Sequence, residues 1–413
     1  MEKRVVITGM GVISPCGNDI EEFWGNIANG RSGIRNVTKF DASDFACRIG
    51  GEVNNLNPEE YGISKKEAKR LDLFSQYALA AASMAIDDSG LEMKDNNEDM
   101  GVIVGTGIGG FNTTEEQENI LFKKGAKRVS PFTIPNLMPN AASGEVSIKY
   151  GIRGPSLAIS SACASGLHSI IYSVMTIKSG IAEIMVTGGS EAAITPLPYA
   201  AFSKMGAITA EYNESPEKAS RPFDAKRNGF VMSEGAGIIV IESLENAVKR
   251  NAGIYAEIIG YGMTSDAYHI TAPDKKGKGA SLAIANALKS AGVDAKDIDY
   301  INAHGTSTPL NDLIETRAIK NVFKDNAYNI PISSSKSMFG HTLGAAGGIE
   351  TIVCVLAIKD GVVPPTINYD NPDPECDLDY VPNKARKSNV NIAMNNNLGF
   401  GGHNACLVLK KYE

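Results

Sequence analysis

The chain has 413 residues, of which 43% are hydrophobic and 21% charged, and its net charge is −7 at neutral pH. This is ordinary globular composition, and the length predicts two domains or two fused halves. No stretch approaches the roughly 20 consecutive apolar residues of a membrane helix, and the first residues read as a strand, so we expect a cytoplasmic protein. The acidic balance argues against general nucleic-acid binding.

β-Branched runs alternate with amphipathic segments along the chain, which predicts an α/β fold. The predicted strands are Arg4–Thr8, Gly101–Val104, Ser156–Ile159, Glu183–Thr187, Gly237–Ile241, Tyr300–Asn302, Ile330–Ser333 and Ala405–Leu409. The predicted helices are Ser64–Ser89, Gly166–Lys178, Lys278–Ala291, Asp312–Phe323 and Ala345–Lys359. The first helix opens with Ser64 and Glu67 at capping-box spacing. The tract Pro364–Lys387 is predicted to be an ordered irregular excursion.

The chain also contains an internal repeat. Residues 83–109 and 283–308 both read as helix, turn, acidic linker, strand and Gly/Thr-rich turn, and residues 157–171 parallel 330–350. We therefore expect two related halves, residues 1–254 and 255–413. Strand-to-helix turns from both halves would then face a common cleft.

Cys163 lies in one of these turns, between a buried strand and a helix rich in small residues. A helix N-terminus stabilises a thiolate, and its free backbone N–H groups can bind an oxyanion. We therefore expect a reactive thiolate, with a buried structural cysteine as the alternative. The six cysteines are far apart and form no CxxC pair, which predicts free thiols. The other five are expected to be structural.

Two of the five histidines occupy Gly-rich turns: His304 in NAHGTST and His341 in SKSMFGHTLGAAG. Such positions favour a functional role over packing. Metal ligation is the rival role, but no HxxxH or HExxH spacing supports it. His168 follows Cys163 on a helix and is predicted to be structural, whereas His269 and His403 stay ambiguous.

Three further residues are candidates for a supporting role. Lys336 lies between serines at a strand end, and it is either a solvated charge or a buried partner of Glu350 that tunes the histidines. Phe400 lies in the Gly-dense turn NNLGFGGHNA, where its N–H could donate to an oxyanion or its ring could simply fill a tight hairpin.

One apparent motif is rejected. Gly105, Gly107 and Gly110 spell GxGxxG after a strand, but no acidic residue follows at the end of a second strand. The segment after it is polar and Glu-rich. We expect no dinucleotide site there.

Taken together, the motifs resemble those of a known family. VVITGMGVISPCG, GTGIGG, RGPSLAISSACASG, RPFDAKRNGFVMSEGAG, NAHGTSTPLND, SSKSMFGHTLGAAGG and GFGGHNA occur in this order. Over essentially its whole length, the chain resembles the β-ketoacyl-acyl-carrier-protein synthases of type II. The resemblance implies a thiolase-like fold of five αβαβα layers, a homodimer, and an acyltransferase of fatty-acid biosynthesis.

The resemblance also implies roles for the candidate residues. Cys163 would take an acyl chain from acyl carrier protein as a thioester. His304 and His341 would promote decarboxylation of malonyl-acyl carrier protein and stabilise the enolate, which attacks the acyl group in a Claisen condensation. Lys336, with Glu350, would organise His341.

Binding roles follow from the same resemblance. The backbone N–H groups of the nucleophile and Phe400 would form the oxyanion hole, and the Phe400 ring would gate the two half-reactions. Thr306 and Thr308 would bind the phosphopantetheine arm, and Ile108 and Phe202 would line the acyl tunnel. No metal or redox cofactor is expected.

An acidic carrier protein needs a basic surface on this acidic chain. The run SKKEAKR, which matches the family's docking helix, supplies Lys65, Lys66, Lys69 and Arg70. A second basic run, KKGAKR, spans residues 123–128. Basic runs are usually only solvated surfaces, and we favour the first as the docking site.

Four positions depart from the family pattern: Thr133, Ser233, Phe339 and Leu398. Thr133 and Leu398 could alter tunnel depth or gating, so chain-length preference is not carried over.

Three alternatives remain. A ketosynthase of a polyketide or specialised acyl pathway would carry the same motifs. A degradative thiolase would have a second cysteine where Phe400 and His403 lie. A non-catalytic partner subunit, such as a chain-length factor, would lack the nucleophile that Cys163 supplies.

Overall fold

The computed structural model describes residues 3–93 and 97–413. The strands are β1 (Val5–Ile13), β2 (Arg35–Asn36), β3 (Ile49–Gly50), β4 (Met100–Gly105), β5 (Ser156–Ile159), β6 (Ile184–Glu191), β7 (Gly235–Ser243), β8 (Ala256–Ser265), β9 (Tyr300–Asn302), β10 (Ile332–Ser333), β11 (Val362–Val363), β12 (Arg386–Lys387), β13 (Ile392–Gly399) and β14 (His403–Lys411). The α-helices are α1 (Ile20–Ala28), α2 (Lys65–Ala68), α3 (Leu73–Ser89), α4 (Phe111–Lys124), α5 (Thr133–Leu137), α6 (Ala141–Tyr150), α7 (Ser165–Lys178), α8 (Pro196–Lys204), α9 (Leu244–Lys249), α10 (Lys278–Ala291), α11 (Pro309–Phe323), α12 (Lys336–Phe339) and α13 (Ala346–Asp360).

Ten strands form one sheet in the order β10-β9-β13-β14-β8-β1-β7-β6-β4-β5. The strands of residues 5–243 occupy one end of the sheet, and those of residues 256–411 occupy the other. β1 and β8 pair antiparallel at the centre. Near both ends the pairing is parallel, between β4 and both β5 and β6, and between β9 and both β10 and β13. The division of the chain at residue 254 stays a prediction.

The layers form because the helices bury apolar surface on both faces of this sheet. The central pair α7 and α13 contacts strands from both ends of the sheet and shares one core with them. Helices α3 and α6 cover the outer face at one end, and α10 and α11 cover it at the other. The result is the αβαβα arrangement that the resemblance implies. α13 is buried along nearly its whole length, as expected for a helix that is apolar on all sides.

Most predicted elements are present, but one helix prediction is wrong. The segment predicted as a single helix over Ser64–Ser89 forms two helices, α2 and α3. The capping box of Ser64 and Glu67 is present on α2. Asp72 starts α3 by accepting the backbone N–H of Phe74 at 3.2 Å, which ends the continuity between the two helices.

The tract Pro364–Lys387 is irregular apart from its last two residues, which pair with β11. Within the described ranges, the helices are too short or too polar to cross a bilayer.

Candidate active site

The turn between β5 and α7 carries Cys163. Ala162 has φ of +52°, a left-handed conformation that is costly for a residue with a Cβ and that turns the chain sharply. Ser165 ties this turn together, because its Oγ accepts the N–H of Ser161 at 2.9 Å and donates to the carbonyl of Ala162 at 2.6 Å. The strained turn presents the sulfur at the end of α7, as the sequence predicts.

The sequence predicts that Cys163 is ionised, and this prediction is wrong for the unliganded protein. Burial raises the pKa of the Cys163 thiol to about 12. The charge of Lys336 and the backbone N–H of Phe400 act in the opposite direction but do not outweigh burial. The sulfur therefore rests as a thiol, surrounded by groups that would favour its anion.

His341 lies directly against this sulfur, with Nε2 at 3.1 Å from Sγ. Its main chain is held by hydrogen bonds to Val231 at 2.8 Å and from Ser233 at 3.0 Å. Burial, followed by the charge of Lys336, lowers the pKa of His341 well below its ordinary value, so the ring is neutral. Nδ1 accepts the N–H of Leu343 at 3.3 Å, which leaves the proton on Nε2. His341 therefore presents an N–H donor to the cavity.

His304 follows β9 and stacks edge-on against His341, with ring centroids 5.2 Å apart. Its pKa is lowered by burial, then by Lys336 and His341. Its turn is fixed by Glu315, whose carboxylate accepts the N–H of His304 at 2.7 Å and of Gly305 at 2.8 Å. Burial raises the pKa of Glu315 to about 7. Glu315 was not predicted from the sequence, where its one distinguishing feature is that it follows the apolar pair Leu313 and Ile314 on α11.

Lys336 and Glu350 form a buried ion pair behind the histidines. The second oxygen of Glu350 accepts the side-chain N–H of Asn397 at 2.6 Å. Burial raises the pKa of the Glu350 carboxyl, whereas Lys336 lowers it. Of the two roles considered for Lys336, the solvated charge is excluded, because its side chain is 1% exposed. Neither Lys336 nor Glu350 lines the cavity.

A single cavity of about 470 Å³ joins the predicted residues of both halves of the chain. Those that line it are Cys163, His304, His341, Phe400, Thr306, Thr308, Ile108 and Phe202. The Thr306 and Thr308 hydroxyls lie 2.9 Å apart. Phe202 packs edge-on against Phe230, which packs edge-on against His341. An apolar wall therefore leads to the reactive group.

The Phe400 turn, between β13 and β14, packs closely against the turn that carries Cys163. A Cβ added to Gly399 would lie 2.7 Å from the carbonyl oxygen of Ser161 and 3.3 Å from the nitrogen of Cys163. Only glycine permits this approach. The backbone N–H of Phe400 lies near enough to the Cys163 sulfur to lower its pKa. Cys406, the only cysteine near this turn in sequence, is buried in β14 and does not line the cavity, which argues against the thiolase alternative.

The GTGIGG loop serves a structural purpose. Glu191, at the end of β6, accepts the N–H of Gly107 at 2.7 Å, of Ile108 at 3.2 Å and of Gly344 at 2.9 Å. These N–H groups are therefore not free to bind a phosphate, in agreement with the rejected dinucleotide site. Glu191 was also missed from sequence, where it reads as the polar end of a strand.

Sulfur and ring nitrogens of Cys163, His304 and His341 lie within 4.8 Å of one another, close enough to contact one metal ion. Sequence spacing could not reveal this cluster, because the three residues come from different turns. The hydrogen bond from Leu343 favours a proton on Nε2 of His341, which occupies the lone pair that a metal would need. The tautomer therefore favours hydrogen-bond donation over ligation.

The proposed carrier-docking residues lie away from the cavity. Lys65, Lys66, Lys69 and Arg70 are exposed on α2 and just after it. Lys65 pairs with Glu59 at 3.3 Å. The Arg70 guanidinium lies 5.3 Å from the ring centroid of Phe132, a cation–π contact.

Of the four departures from the family pattern, only Leu398 lines the cavity. Ser233 and Phe339 are buried, and the Ser233 hydroxyl donates to the carbonyl of Gly51 at 3.0 Å. Thr133 begins α5, where its hydroxyl donates to the carbonyl of Ser130 at 2.6 Å.

Comparisons with known proteins agree with this geometry. Residues 2–247 match the family model "Beta-ketoacyl synthase, N-terminal domain", and residues 255–370 match "Beta-ketoacyl synthase, C-terminal domain". The chain is 51% identical over 413 residues to 3-oxoacyl-[acyl-carrier-protein] synthase 2 of Synechocystis, covering 100% of this chain and 99% of that protein.

Solved structures are similar over their full length. The ishigamide ketosynthase/chain length factor matches with a TM-score of 0.92 and 38% identity, covering 100% of both chains. A ketosynthase bound to the hexaketide, in complex with its type II PKS acyl-carrier protein, matches with a TM-score of 0.91 and 36% identity, again covering 100% of both chains. The chain therefore belongs to the β-ketoacyl synthase family, and its full-length likeness to a 3-oxoacyl-acyl-carrier-protein synthase makes it a condensing acyltransferase.

Proposed function

We propose that the protein lengthens acyl chains by two carbons through decarboxylative condensation, with the growing chain held as a thioester on Cys163. One observation carries this proposal: a thiol and two neutral imidazoles from distant turns share one cavity, with His341 Nε2 at 3.1 Å from the sulfur. A nucleophile and hydrogen-bond donors, without a charged base, suit acyl transfer followed by enolate formation.

In the first half-reaction, the Cys163 sulfur attacks the carbonyl of a carrier-bound thioester. The backbone N–H groups of Cys163 and Phe400 donate to the oxyanion that forms. The carrier's pantetheine sulfur then leaves and takes up the proton that the Cys163 thiol gives up, so thioester exchange is proton-neutral. Lys336 and the surrounding donors favour the transient thiolate, because they oppose the effect of burial on its pKa.

In the second half-reaction, the bond to the malonyl carboxylate breaks, CO₂ leaves, and the electron pair forms an enolate. His304 and His341 donate N–H groups to the thioester oxygen, where the negative charge develops. The lowered pKa of each ring keeps it a neutral donor, which avoids premature protonation of the carbanion. The carbanion attacks the acyl-Cys163 carbonyl, the bond to the Cys163 sulfur breaks, and the sulfur takes up one proton from solvent for each CO₂ released.

We assign four further cavity residues to substrate binding. The Thr306 and Thr308 hydroxyls bind the phosphopantetheine arm, and Ile108 and Phe202 line the space for the acyl chain. The partner is acyl carrier protein, and no metal or redox group takes part in the steps above. One of the similar solved structures is a ketosynthase in complex with its acyl-carrier protein, and this similarity supports the assignment.

A product assay tests this function. Protein incubated with malonyl-carrier and a ladder of acyl-carrier thioesters should form 3-oxoacyl products two carbons longer, with one CO₂ released per product. The chain-length profile separates general fatty-acid elongation from a specialised pathway. Formation of CO₂ with every substrate but of no condensed product would contradict the proposal.

We propose that the basic surface of α2 binds the acidic carrier. Charge reversal at Lys65 and Lys69 should raise the KM for carrier-linked substrate severalfold and leave kinetics with a short pantetheine thioester unchanged, because rim charges act mainly on association. The matched variant reverses Lys123 and Lys124 in the second basic run. A carrier KM that responds only to the second pair would show that docking lies there instead.

We propose a homodimer that forms through the β5 edge of the sheet. Among the described residues, β5 pairs with β4 alone, and two exposed apolar side chains lie at this edge: Leu157 in β5 is 52% exposed and Ile148 in α6 is 78% exposed. Unpaired edges with apolar flanks are rarely left open. Light scattering should therefore give twice 43.8 kDa. Leu157→Arg should shift this mass towards the monomer, and a wild-type monomer at micromolar concentration would contradict the proposal.

A further inference from the structure

His168 lies beneath the nucleophile turn, and the mechanism above does not use it. Its Nδ1 is 2.6 Å from the hydroxyl oxygen of Ser161, which is two residues before Cys163. Both side chains are buried. His168 is part of α7, but its ring is not among the groups that line the cavity. It therefore contacts the turn from behind, on the side away from substrate.

The same ring also lies close to the Phe400 turn, between β13 and β14. The backbone of Asn404, in β14 just after the Phe400 turn, lies close enough to the His168 ring to raise its pKa. A backbone group raises the pKa of an imidazole by accepting from its N–H, so the Asn404 carbonyl is the group that faces the ring. Burial dominates and lowers the pKa to about 4, so the ring is neutral. A neutral imidazole has one donor and one acceptor, and His168 uses the acceptor for the Ser161 hydroxyl.

The two turns that His168 joins are already in close contact. Gly399 approaches Ser161 and Cys163 so closely that it has no room for a Cβ. Ala162, between those two residues, is held in a left-handed conformation. Such a conformation persists only where neighbouring contacts impose it. Each turn supplies one backbone N–H near the sulfur, so their relative position sets the geometry of the oxyanion hole.

We propose that His168 is a positioning residue that holds the Cys163 and Phe400 backbone N–H groups in register. The proposal rests on the proposed function, because it assumes that these N–H groups stabilise an acyl-transfer oxyanion. His168 would then affect the rate of Cys163 acylation without contacting substrate. A space-filling role would require only the volume of the ring, whereas positioning requires the Nδ1 bond to Ser161 and a ring nitrogen that faces the Asn404 carbonyl.

Two conservative substitutions separate the hydrogen bonds. His168→Asn places an oxygen near the Nδ1 position and keeps only the Ser161 bond, whereas His168→Gln reaches the Nε2 position and keeps only the Asn404 bond. Ser161→Ala removes the first bond without changing the ring. The control is Ser173→Ala, since the Ser173 hydroxyl is buried on the same helix and has no hydrogen-bond partner among the described residues.

Two reactions of Cys163 in the full-length protein are then compared. Acylation by an acyl-carrier thioester passes through an oxyanion, whereas alkylation by iodoacetamide does not. All three variants at His168 and Ser161 should slow single-turnover acylation about 10- to 100-fold, with KM and the alkylation rate near wild type. Ser173→Ala should change neither reaction.

Wild-type acylation rates in the variants would overturn the proposal. So would a parallel loss of acylation, alkylation and thermal stability, because that pattern indicates a damaged fold. A wild-type protein that iodoacetamide labels at Cys163 but that no acyl-carrier thioester acylates would instead overturn the proposed function itself.

Discussion

Cys163→Ala should abolish condensation while preserving decarboxylation of malonyl-carrier protein. The substitution removes the only group proposed to hold the acyl chain, so condensation should fall on the order of 10⁴-fold or more. Decarboxylation needs only N–H donors at the thioester oxygen, and His304 and His341 remain. The measurement is the ratio of CO₂ released to 3-oxoacyl product formed, together with mass spectrometry of the protein after incubation with acyl-carrier thioester.

His304→Ala should give the opposite pattern. Removal of one preorganised donor typically costs about 10²- to 10³-fold in rate, so decarboxylation should fall by that factor. Acylation of Cys163 should continue, because the proposed acyl-transfer oxyanion binds backbone N–H groups instead. Each variant thus controls for the other. Since the two functions are proposed to separate by residue, a single variant that lost both would argue against this division.

Cys16→Ala is the matched cysteine control, since Cys16 is buried but does not line the cavity. It should leave both reactions intact. An acyl adduct that survived Cys163→Ala would mean that another thiol carries the chain, and it would refute the assigned nucleophile. None of the five other cysteines, all of which the structure describes, lines the cavity, which argues against that outcome.

The sequence predicts the reacting residues better than the residues that hold them in position, and the reason is physical. Cys163 and His304 follow predicted strands, and all three site residues lie in Gly- or Ser-rich turns, so local pattern alone marks them. Glu191 accepts N–H groups from two turns that lie 84 and 153 residues away, and Glu315 accepts N–H groups of the turn ten and eleven residues before it, once α11 packs against that turn. No local pattern encodes such an arrangement.

The missed strands show the same limit. β13 reads IAMNNNLG, and three consecutive asparagines predict a turn rather than a buried strand. In the fold, the side-chain NH₂ groups of two of them have partners: Asn395 donates to Thr351 at 3.1 Å, and Asn397 donates to Glu350 at 2.6 Å. β8 was missed because glycine and polar residues interrupt its apolar positions. Tertiary contacts override propensity in both strands.

Lys336→Met should destabilise the protein by about 3–5 kcal/mol, because it leaves Glu350 buried and unpaired. Lys336 is the largest influence that lowers the pKa of Glu350, so its loss should raise that pKa further. A carboxyl whose folded pKa lies above its unfolded value binds its proton more tightly when folded. The variant should therefore be less destabilised at acid pH than at alkaline pH. Urea unfolding at both pH values measures this.

The double variant Lys336→Met with Glu350→Leu should regain much of the lost stability, since apolar residues often replace a buried ion pair without cost. It should not regain normal catalysis. The charge of Lys336 lowers the pKa of His304 and His341, so both rings should titrate at higher pH without it. Activity on malonyl-carrier protein should then fall off at a higher pH on acidification than in wild type.

Lys39→Met separates stability from catalysis. Lys39 pairs with the buried Glu234, and neither residue lines the cavity. This variant should also lose stability, but its acid limb of activity should match wild type, because no histidine of the site depends on Lys39. If the acid limb stayed unchanged in the Lys336 double variant as well, Lys336 would be only a structural ion-pair partner. If the acid limb of activity shifts only in the Lys336 double variant, the buried ammonium of Lys336 keeps both imidazoles neutral. As neutral donors, the imidazoles can stabilise an enolate without protonating it.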